Sequence, residues 1–204
     1  MIVSEPIANI HTQMMHPEPD HNIVSAVSKV IHDRRTISFF KAEAPPRSLI
    51  LNAIEAARWA PNHHLTEPWR FHLLSDQCKQ TIVDLNAQIV ARSKGQEAGE
   101  AKRKRWSLIP GWMAVTCTRS ENELRAREDY AACCCAIYAM TLYLWPHGVG
   151  VKWTTGDVTR DARFYEAIWT DPDAESVVGL IWYGFPDEVP VAARKPVSEI
   201  VVEI

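Results

Sequence analysis

The chain has 204 residues, of which 47% are hydrophobic, and a formal net charge of −3 at neutral pH. A chain of this length fits one domain that can bury a substantial core. The weak negative charge gives no electrostatic reason to expect a nucleic acid or an anionic membrane surface as a main partner. Small-molecule chemistry is the better expectation.

The first 22 residues are polar and interrupted by prolines, which predicts a flexible N-terminal extension at 1–22 and a single domain at 23–204. They lack the basic-then-apolar pattern of a secretory signal. The longest apolar run, Tyr130 to Trp145, is short for a bilayer span and ends at Pro146. We therefore expect a soluble cytoplasmic protein with no membrane partner.

Five cysteines include three consecutive ones, Cys133–Cys135, in that apolar run. Adjacent side chains on a helix point roughly 100° apart, so these thiols cannot share a disulfide framework or chelate one metal. We expect free, mostly buried thiols. His11, His16 and His21 recur every five residues, but their proline-rich segment is poorly suited to holding a metal, and we predict no metal site.

The predicted secondary structure alternates between helices and strands. In the first half of the chain we expect a helix capped by Asn22 and ending near Arg34, a helix opened by Pro45-Pro46 and closed by Pro61, a strand at 70–74 and a helix capped by Asp76. An exposed helical excursion at 91–106, a strand at 112–117 and a long helix at about 126–145 follow. The last part should form a strand ending at Trp153, a short helix at 160–169, a strand at 177–183 and a β-prone tail at 197–204. This order predicts an α+β sandwich with helices packed on a largely antiparallel sheet.

Apolar residues surround the long 126–145 helix on every side. A lone small domain would leave one face of such a helix uncovered, which predicts a homodimer built on it. The basic run Lys102–Arg105 has Glu97 and Glu100 alongside. It therefore indicates a solvated helix face rather than a nucleic-acid site.

Two short segments flank the second predicted helix, Arg34–Phe40 and Ala60–Phe71. The first places two arginines and a hydroxyl at a helix end, where charge-assisted hydrogen bonds could clamp a phosphate or an electron-rich ring edge. The second is a proline-bounded polar loop that leads into a buried strand, so its imidazoles and amides are held at a sheet edge. The arrangement suits a cofactor.

In this order and spacing the two segments resemble the flavin-dependent nitroreductase family, whose members carry Arg-Arg-Ser-x-Arg-x-Phe and later Ala-Pro-Ser-x-x-Asn-x-Gln-Pro-Trp. The likeness is greatest to small nitroreductases with a histidine two residues after the proline, as His63 follows Pro61. It extends from about residue 24 to the end of the chain. It implies the nitroreductase-like sandwich and an intertwined homodimer whose tails each add a strand to the partner's sheet.

The resemblance implies a site for FMN built from four segments. It assigns contacts to the phosphate, ribityl chain and pyrimidine edge to Arg34, Arg35 and Thr36. It assigns Pro61, Asn62 and His63 to the loop that covers the flavin from the second protomer, and the ring contacts to Trp153, Thr154, Thr155 and Gly156. The late arginine that closes on the phosphate is matched by Arg194. The alternatives are a solvated helix end for the first arginines, an ordinary turn after Trp153 and a solvated basic pair at Arg194.

Three residues depart from the family pattern. Ser38 stands in the flavin-facing position that usually holds arginine or lysine, so Arg35 or Lys152 compensates or the reduced flavin is less stabilised. Leu65 replaces an asparagine. Glu67 replaces a glutamine, and its carboxylate would repel a reduced flavin unless Arg70 or another cation pairs with it.

The expected function is an FMN-dependent oxidoreductase that takes hydride from NADH or NADPH and reduces a nitroaromatic, quinone or similar small electron-poor acceptor by ping-pong kinetics. No side chain is assigned a catalytic proton transfer, because the flavin N5 carries the hydride. One alternative is a flavin-binding regulatory or storage protein with little turnover. Another is a family member that dehydrogenates or dehalogenates a dedicated metabolite.

Overall fold

The computed structural model describes residues 18–204 of the chain. Within them lie the helices α1 (His21–Asp33), α2 (Arg47–Ala57), α3 (Asp76–Lys94), α4 (Gln96–Ser107), α5 (Glu123–Leu144) and α6 (Ala162–Ala167), and the strands β1 (Trp69–Leu73), β2 (Gly111–Thr118), β3 (Gly150–Thr154) and β4 (Glu175–Gly184). Short 3₁₀ turns occupy His63–Leu65, Trp145–His147, Asp157–Arg160 and Val197–Glu199.

The four strands form one sheet in the order β1-β2-β4-β3, with every neighbouring pair antiparallel. Helices cover both faces of this sheet. Side chains of α2 and α5 pack with Met113, Val115 and Ile181 on one face, whereas those of α3, α4 and α6 pack with Ala114 and Leu180 on the other. The predicted α+β sandwich with an antiparallel sheet is confirmed.

Helix starts differ from the predictions by a few residues. Asp20, not Asn22, caps α1, because its carboxylate accepts hydrogen bonds from the N–H groups of the first turn. Ser75 rather than Asp76 caps α3. Helix α5 starts earlier than predicted, because the side chain of Asn122 accepts from the Arg125 N–H at 3.0 Å. For α1 and α3 two capping residues lie close together in the sequence, and only the backbone conformation selects between them.

The predicted excursion at 91–106 is helical, but it is not wholly exposed. Gly95, at φ 91°, breaks the chain into α3 and α4, and α4 folds back along α3. Gly99 is buried against the α3 backbone, and Trp106 is buried beside Trp112 and Trp182 with ring centroids 5.4 and 5.0 Å away. The prediction of an exposed segment missed these two contacts.

Helix α1 and the C-terminal tail are among the segments that expose apolar side chains. Helix α1 has no buried residue, and Ile23, Val24, Val27 and Ile31 are all exposed. The tail forms one 3₁₀ turn and no strand within the single chain, so its β-prone residues are also exposed. The predicted strand exchange with a partner stays a prediction.

Most of the predicted flexible extension at 1–22, including His11 and His16, lies outside the described residues. Helix α1 begins at His21, two residues before the predicted start of the domain at residue 23. The boundary itself stays a prediction. Among residues 18–204, no helix combines the length and the apolar composition needed to cross a bilayer.

Candidate functional site

The Arg34–Ser38 segment lies directly beside strand β3. Thr36 forms a parallel bridge with Val151, and the Ile37 N–H donates to the Val151 carbonyl at 3.1 Å. Ile37 is fully buried and anchors the segment. Two segments predicted to belong to one site, more than 100 residues apart in the chain, are therefore neighbours.

Arg34 and Arg35 differ in their surroundings. The Nε of Arg34 is buried without a hydrogen-bond partner among the described residues, and its guanidinium carbon lies 5.7 Å from the centroid of the Tyr138 ring on α5. Arg35 turns back onto the end of α1, where its Nη1 donates to the carbonyls of His32 and Arg34 at 2.5 and 2.9 Å. Arg34 therefore keeps an unused donor, whereas Arg35 caps the helix.

Ser38 has a cation as its partner. The Nζ of Lys152, on β3, donates to the Ser38 hydroxyl at 3.1 Å and lies 5.3 Å from the centroid of the Trp182 ring. Burial lowers the pKa of Lys152, and the charges of Arg105 and Lys102 lower it further. Among residues 18–204, no carboxylate forms an ion pair with Lys152.

The predicted ring-binding residues follow at the end of β3. The Trp153 indole donates to the Val178 carbonyl at 3.1 Å and lies over Gly179, where any Cβ would collide with it. This side chain therefore belongs to the sheet. Thr155 and Gly156 are exposed, their backbone N–H groups have no backbone acceptor among the described residues, and the space beside Gly156 is open. A flat ligand could reach this backbone.

The Pro61–Glu67 loop is bound to the first half of α5. His63 Nδ1 lies 3.0 Å from the Glu128 carboxylate and its ring stacks on His64, while Thr66 donates to Asp129 at 2.6 Å. The loop holds three non-glycine residues in the left-handed region, His64 at φ 56°, Leu65 at 50° and Glu67 at 44°. Such conformations cost free energy and occur preferentially at functional sites.

Two polar contacts hold the conformation of this loop. Asn62 donates to the Ala60 carbonyl and accepts from the Glu67 N–H at 3.2 and 2.9 Å. The suggested pairing of Glu67 with Arg70 is not formed, because Arg70 instead binds Glu175 at 2.7 Å. Glu67 and Arg70 are exposed, so solvent screens the Glu67 charge.

Within one chain the site is incomplete. His63 contacts α5 at Glu128 and Arg34 contacts it at Tyr138, and ten residues of helix correspond to about 15 Å. Arg194 is exposed, and its only hydrogen bond in the described chain is to the adjacent Ala193 carbonyl. The described contacts thus bring together the 34–38 and 152–156 segments, but not the 61–63 loop or Arg194.

Sequence reasoning missed the cavity beside Ser38. It measures about 430 Å³ and lies between Phe39 and α4, where Arg105 stands over the Phe39 ring at 5.2 Å. The residues of the basic run at 102–105 have different surroundings. Arg103 pairs with Asp84 and Glu100, whereas Lys104 and Arg105 line the cavity. The helical spacing of charges was visible in the sequence, but the element that α4 faces was not.

Comparison with known proteins establishes the class. The model of the Nitroreductase family matches residues 31–185, and the chain belongs to this family. The Bacillus subtilis protein YfhC, provisionally named as an NAD(P)H nitroreductase, is 32% identical over 88% of this chain and 95% of its own length.

Two solved structures share the fold. The nitroreductase-like family protein from Bacillus cereus superposes with a TM-score of 0.77 at 26% identity, covering 94% of this chain and 99% of that one. A provisionally named nitroreductase from Desulfovibrio desulfuricans, solved in complex with FMN, has a TM-score of 0.70 at 22% identity, covering 87% and 96%.

Proposed function

We propose that this protein is an FMN-dependent oxidoreductase that oxidises NADH or NADPH and reduces a nitroaromatic, a quinone or a similar electron-poor acceptor. The observation that carries the proposal is the placement of Arg34–Ser38 beside strand β3 in a chain of the nitroreductase family. The FMN in the Desulfovibrio structure and the NAD(P)H in the name of the Bacillus relative support the cofactor and the electron donor.

Three features of the described residues fit FMN. The unpartnered Arg34 Nε suits a phosphate, whose oxygens accept charge-assisted hydrogen bonds. The open space at Gly156 suits the close approach of a flat ring to the backbone. Lys152 provides a half-buried cation that has no carboxylate partner in the described part of the chain. We assign the binding residues of one subunit as Arg34, Arg35, Thr36, Ser38, Trp153, Thr154, Thr155, Gly156 and Arg194.

The partner subunit would contribute Pro61, Asn62 and His63. Glu128, Ala131, Cys135 and Tyr138 are spaced three to four residues apart and share one partly exposed face of α5. A two-fold axis crossing α5 between Glu128 and Tyr138 would place the first half of one α5 against the second half of the other. The His63 of each subunit would then lie near the Arg34 of its partner. Each site would thereby gain the 61–63 loop that it lacks within one chain.

FMN, when bound, supplies the ring nitrogen that accepts and delivers hydride. The chain supplies orientation and electrostatics. The free N–H groups of Thr155 and Gly156 would donate to the ring, Arg34 would hold the phosphate, and the 61–63 loop would limit the access of water. None of these residues is assigned a proton transfer of its own.

The test is spectroscopic. Purified protein should show the flavin absorption bands, bleach within seconds when mixed anaerobically with NADH or NADPH, and recover them when an electron-poor acceptor is added. Steady-state kinetics should give parallel double-reciprocal lines, because donor and acceptor occupy the same space in turn. Protein that is colourless and cannot be reconstituted with FMN contradicts the proposal. An oxidised spectrum that persists for minutes with both donors supports the regulatory or storage alternative.

A further inference from the structure

We propose that Lys152 supplies from strand β3 the positive charge that position 38 lacks, and that this ammonium group sets the reduction potential of the bound flavin. The inference rests on the proposed function and assigns a role to one side chain within it. It follows from the contact of Lys152 Nζ with the Ser38 hydroxyl at 3.1 Å.

The geometry favours Lys152 over Arg35, the other cation near position 38. The Arg35 guanidinium is engaged with the two carbonyls at the end of α1. Lys152 lies on the strand that continues into Thr154–Gly156, and it reaches the 34–38 segment across the Thr36–Val151 bridge. Its ammonium group is therefore held at the 34–38 segment, on the strand that leads into the second segment assigned to the flavin.

The surroundings of Lys152 would be unfavourable without an anion. Its neighbours are the cations Arg105 and Lys102, the neutral hydroxyl of Ser38 and the face of Trp182. Trp182 offers a cation–π contact, which offsets only part of the cost of burying the charge. Reduction of a flavin adds negative charge to its ring, so a cation facing the ring edge favours the reduced form.

The experiment compares reduction potentials, measured against a reference dye, for the wild type, Lys152→Met and the exchanged double variant Ser38→Lys/Lys152→Ser. We expect Lys152→Met to shift the reduction equilibrium about tenfold towards the oxidised flavin, which for a two-electron couple is about 30 mV. The exchanged variant should recover most of the wild-type potential, because the charge returns to the same place from the other side of the contact. The affinity for sulfite, which adds to N5 and leaves the ring negative, should fall and recover in parallel.

Two controls separate this role from others. Lys94→Met removes an equal charge from the exposed end of α3 and should leave the potential unchanged, because solvent screens that charge. Arg35→Ala tests the competing cation. A lowered potential in Arg35→Ala with an unchanged one in Lys152→Met would reassign the charge to Arg35.

The outcomes distinguish the inference from the function on which it rests. Normal flavin content with an unchanged potential in Lys152→Met overturns the role of Lys152 alone. Failure of the exchanged variant to recover the potential while it binds FMN normally also overturns it. Failure of the wild type to bind FMN overturns both proposals together.

Discussion

Arg34 combines a buried Nε, which has no hydrogen-bond partner within residues 18–204, and a contact with Tyr138, a residue of the proposed dimer face. A buried donor that lacks an acceptor costs about 1 to 3 kcal/mol. A ligand phosphate would remove that cost. Arg194, in contrast, is exposed, and within the described chain its side chain bonds only to the adjacent Ala193 carbonyl.

We therefore expect Arg34→Ala and Arg194→Ala to weaken FMN binding about tenfold or more while changing riboflavin binding little, because riboflavin lacks the phosphate. One charged hydrogen bond contributes about 1.5 to 3 kcal/mol, which corresponds to this factor. Fluorescence titration of apoprotein with both flavins measures it. Arg58→Ala, which removes an exposed arginine paired with Glu55, is the matched control. Equal losses for the two flavins would rule out the phosphate assignment.

At the scale of elements, strands β1, β2 and β4 share a polar group of side chains. His72 Nε2 lies 3.0 Å from the Thr116 hydroxyl, Thr116 donates to Glu175, and Arg70 pairs with Glu175 at 2.7 Å. Burial lowers the pKa of His72, and this effect exceeds the opposing attraction of Glu175. The folded protein thus holds His72 neutral at a pH where the unfolded chain would bind a proton.

Stability should therefore fall as the pH drops below the usual histidine pKa of about 6.5, until the lowered pKa of the folded state is reached. The unfolded state binds more protons in this interval, so acid favours unfolding. Denaturant titrations from pH 7.5 to 5 should show a shallower loss in His72→Gln than in the wild type. The exposed His147→Gln is the control. Identical slopes in His72→Gln and the wild type would show that His72 does not couple stability to pH.

Helices α3 and α4 pack through Gly99. A Cβ at this position would lie 2.7 Å from the Ala87 carbonyl oxygen and 2.8 Å from the Ala91 Cβ. Alanine improves helix propensity by about 1 kcal/mol, but overpacking against a helix backbone costs about 1 to 3 kcal/mol. We expect Gly99→Ala to lower the melting temperature by a few degrees and the exposed Lys104→Ala to leave it unchanged, as measured by calorimetry. A higher melting temperature would mean that the two helices separate at little cost.

The sequence was most informative where one segment determines its own structure. The β2 run from Trp112 to Cys117 was predicted correctly, because residues buried on both faces of a sheet form a continuous apolar stretch. Contacts between distant elements were a different matter. The sequence left both Arg35 and Lys152 open as the cation that compensates for Ser38. The Lys152–Ser38 contact joins residues 114 positions apart, and only the register between β3 and the 34–38 segment selects it. The left-handed residues of the 61–67 loop could not be predicted either, because histidine, leucine and glutamate seldom adopt positive φ.

At the scale of the whole molecule, one chain exposes the apolar face of α1, the apolar tail and the Ala131–Tyr138 stripe of α5. Exposed apolar segments of this kind are expected where subunits meet. The same dimer would explain why the 61–63 loop and the Arg34 segment lie on opposite halves of α5.

We expect sedimentation at micromolar concentration to show a dimer, and a short bismaleimide to link the two subunits through Cys135. Cys135 is the exposed one of the five cysteines and lies between Glu128 and Tyr138, near the proposed two-fold axis. Cys135→Ser should abolish the covalent dimer on a denaturing gel, whereas Cys78→Ser should not. A stable flavin-loaded monomer would contradict the proposed assembly.

The buried tryptophans Trp106, Trp112 and Trp182 give the molecule an optical property of its own. Their rings lie within 5.0 to 5.6 Å of one another and come from α4, β2 and β4. Indoles this close couple electronically and produce a circular dichroism signal that depends on their mutual angles. Because Trp106 alone comes from α4, any displacement of that helix from the sheet would change the signal. Lys152 contacts the same cluster through Trp182. The circular dichroism of the tryptophans should therefore respond to changes around Lys152 without an added label.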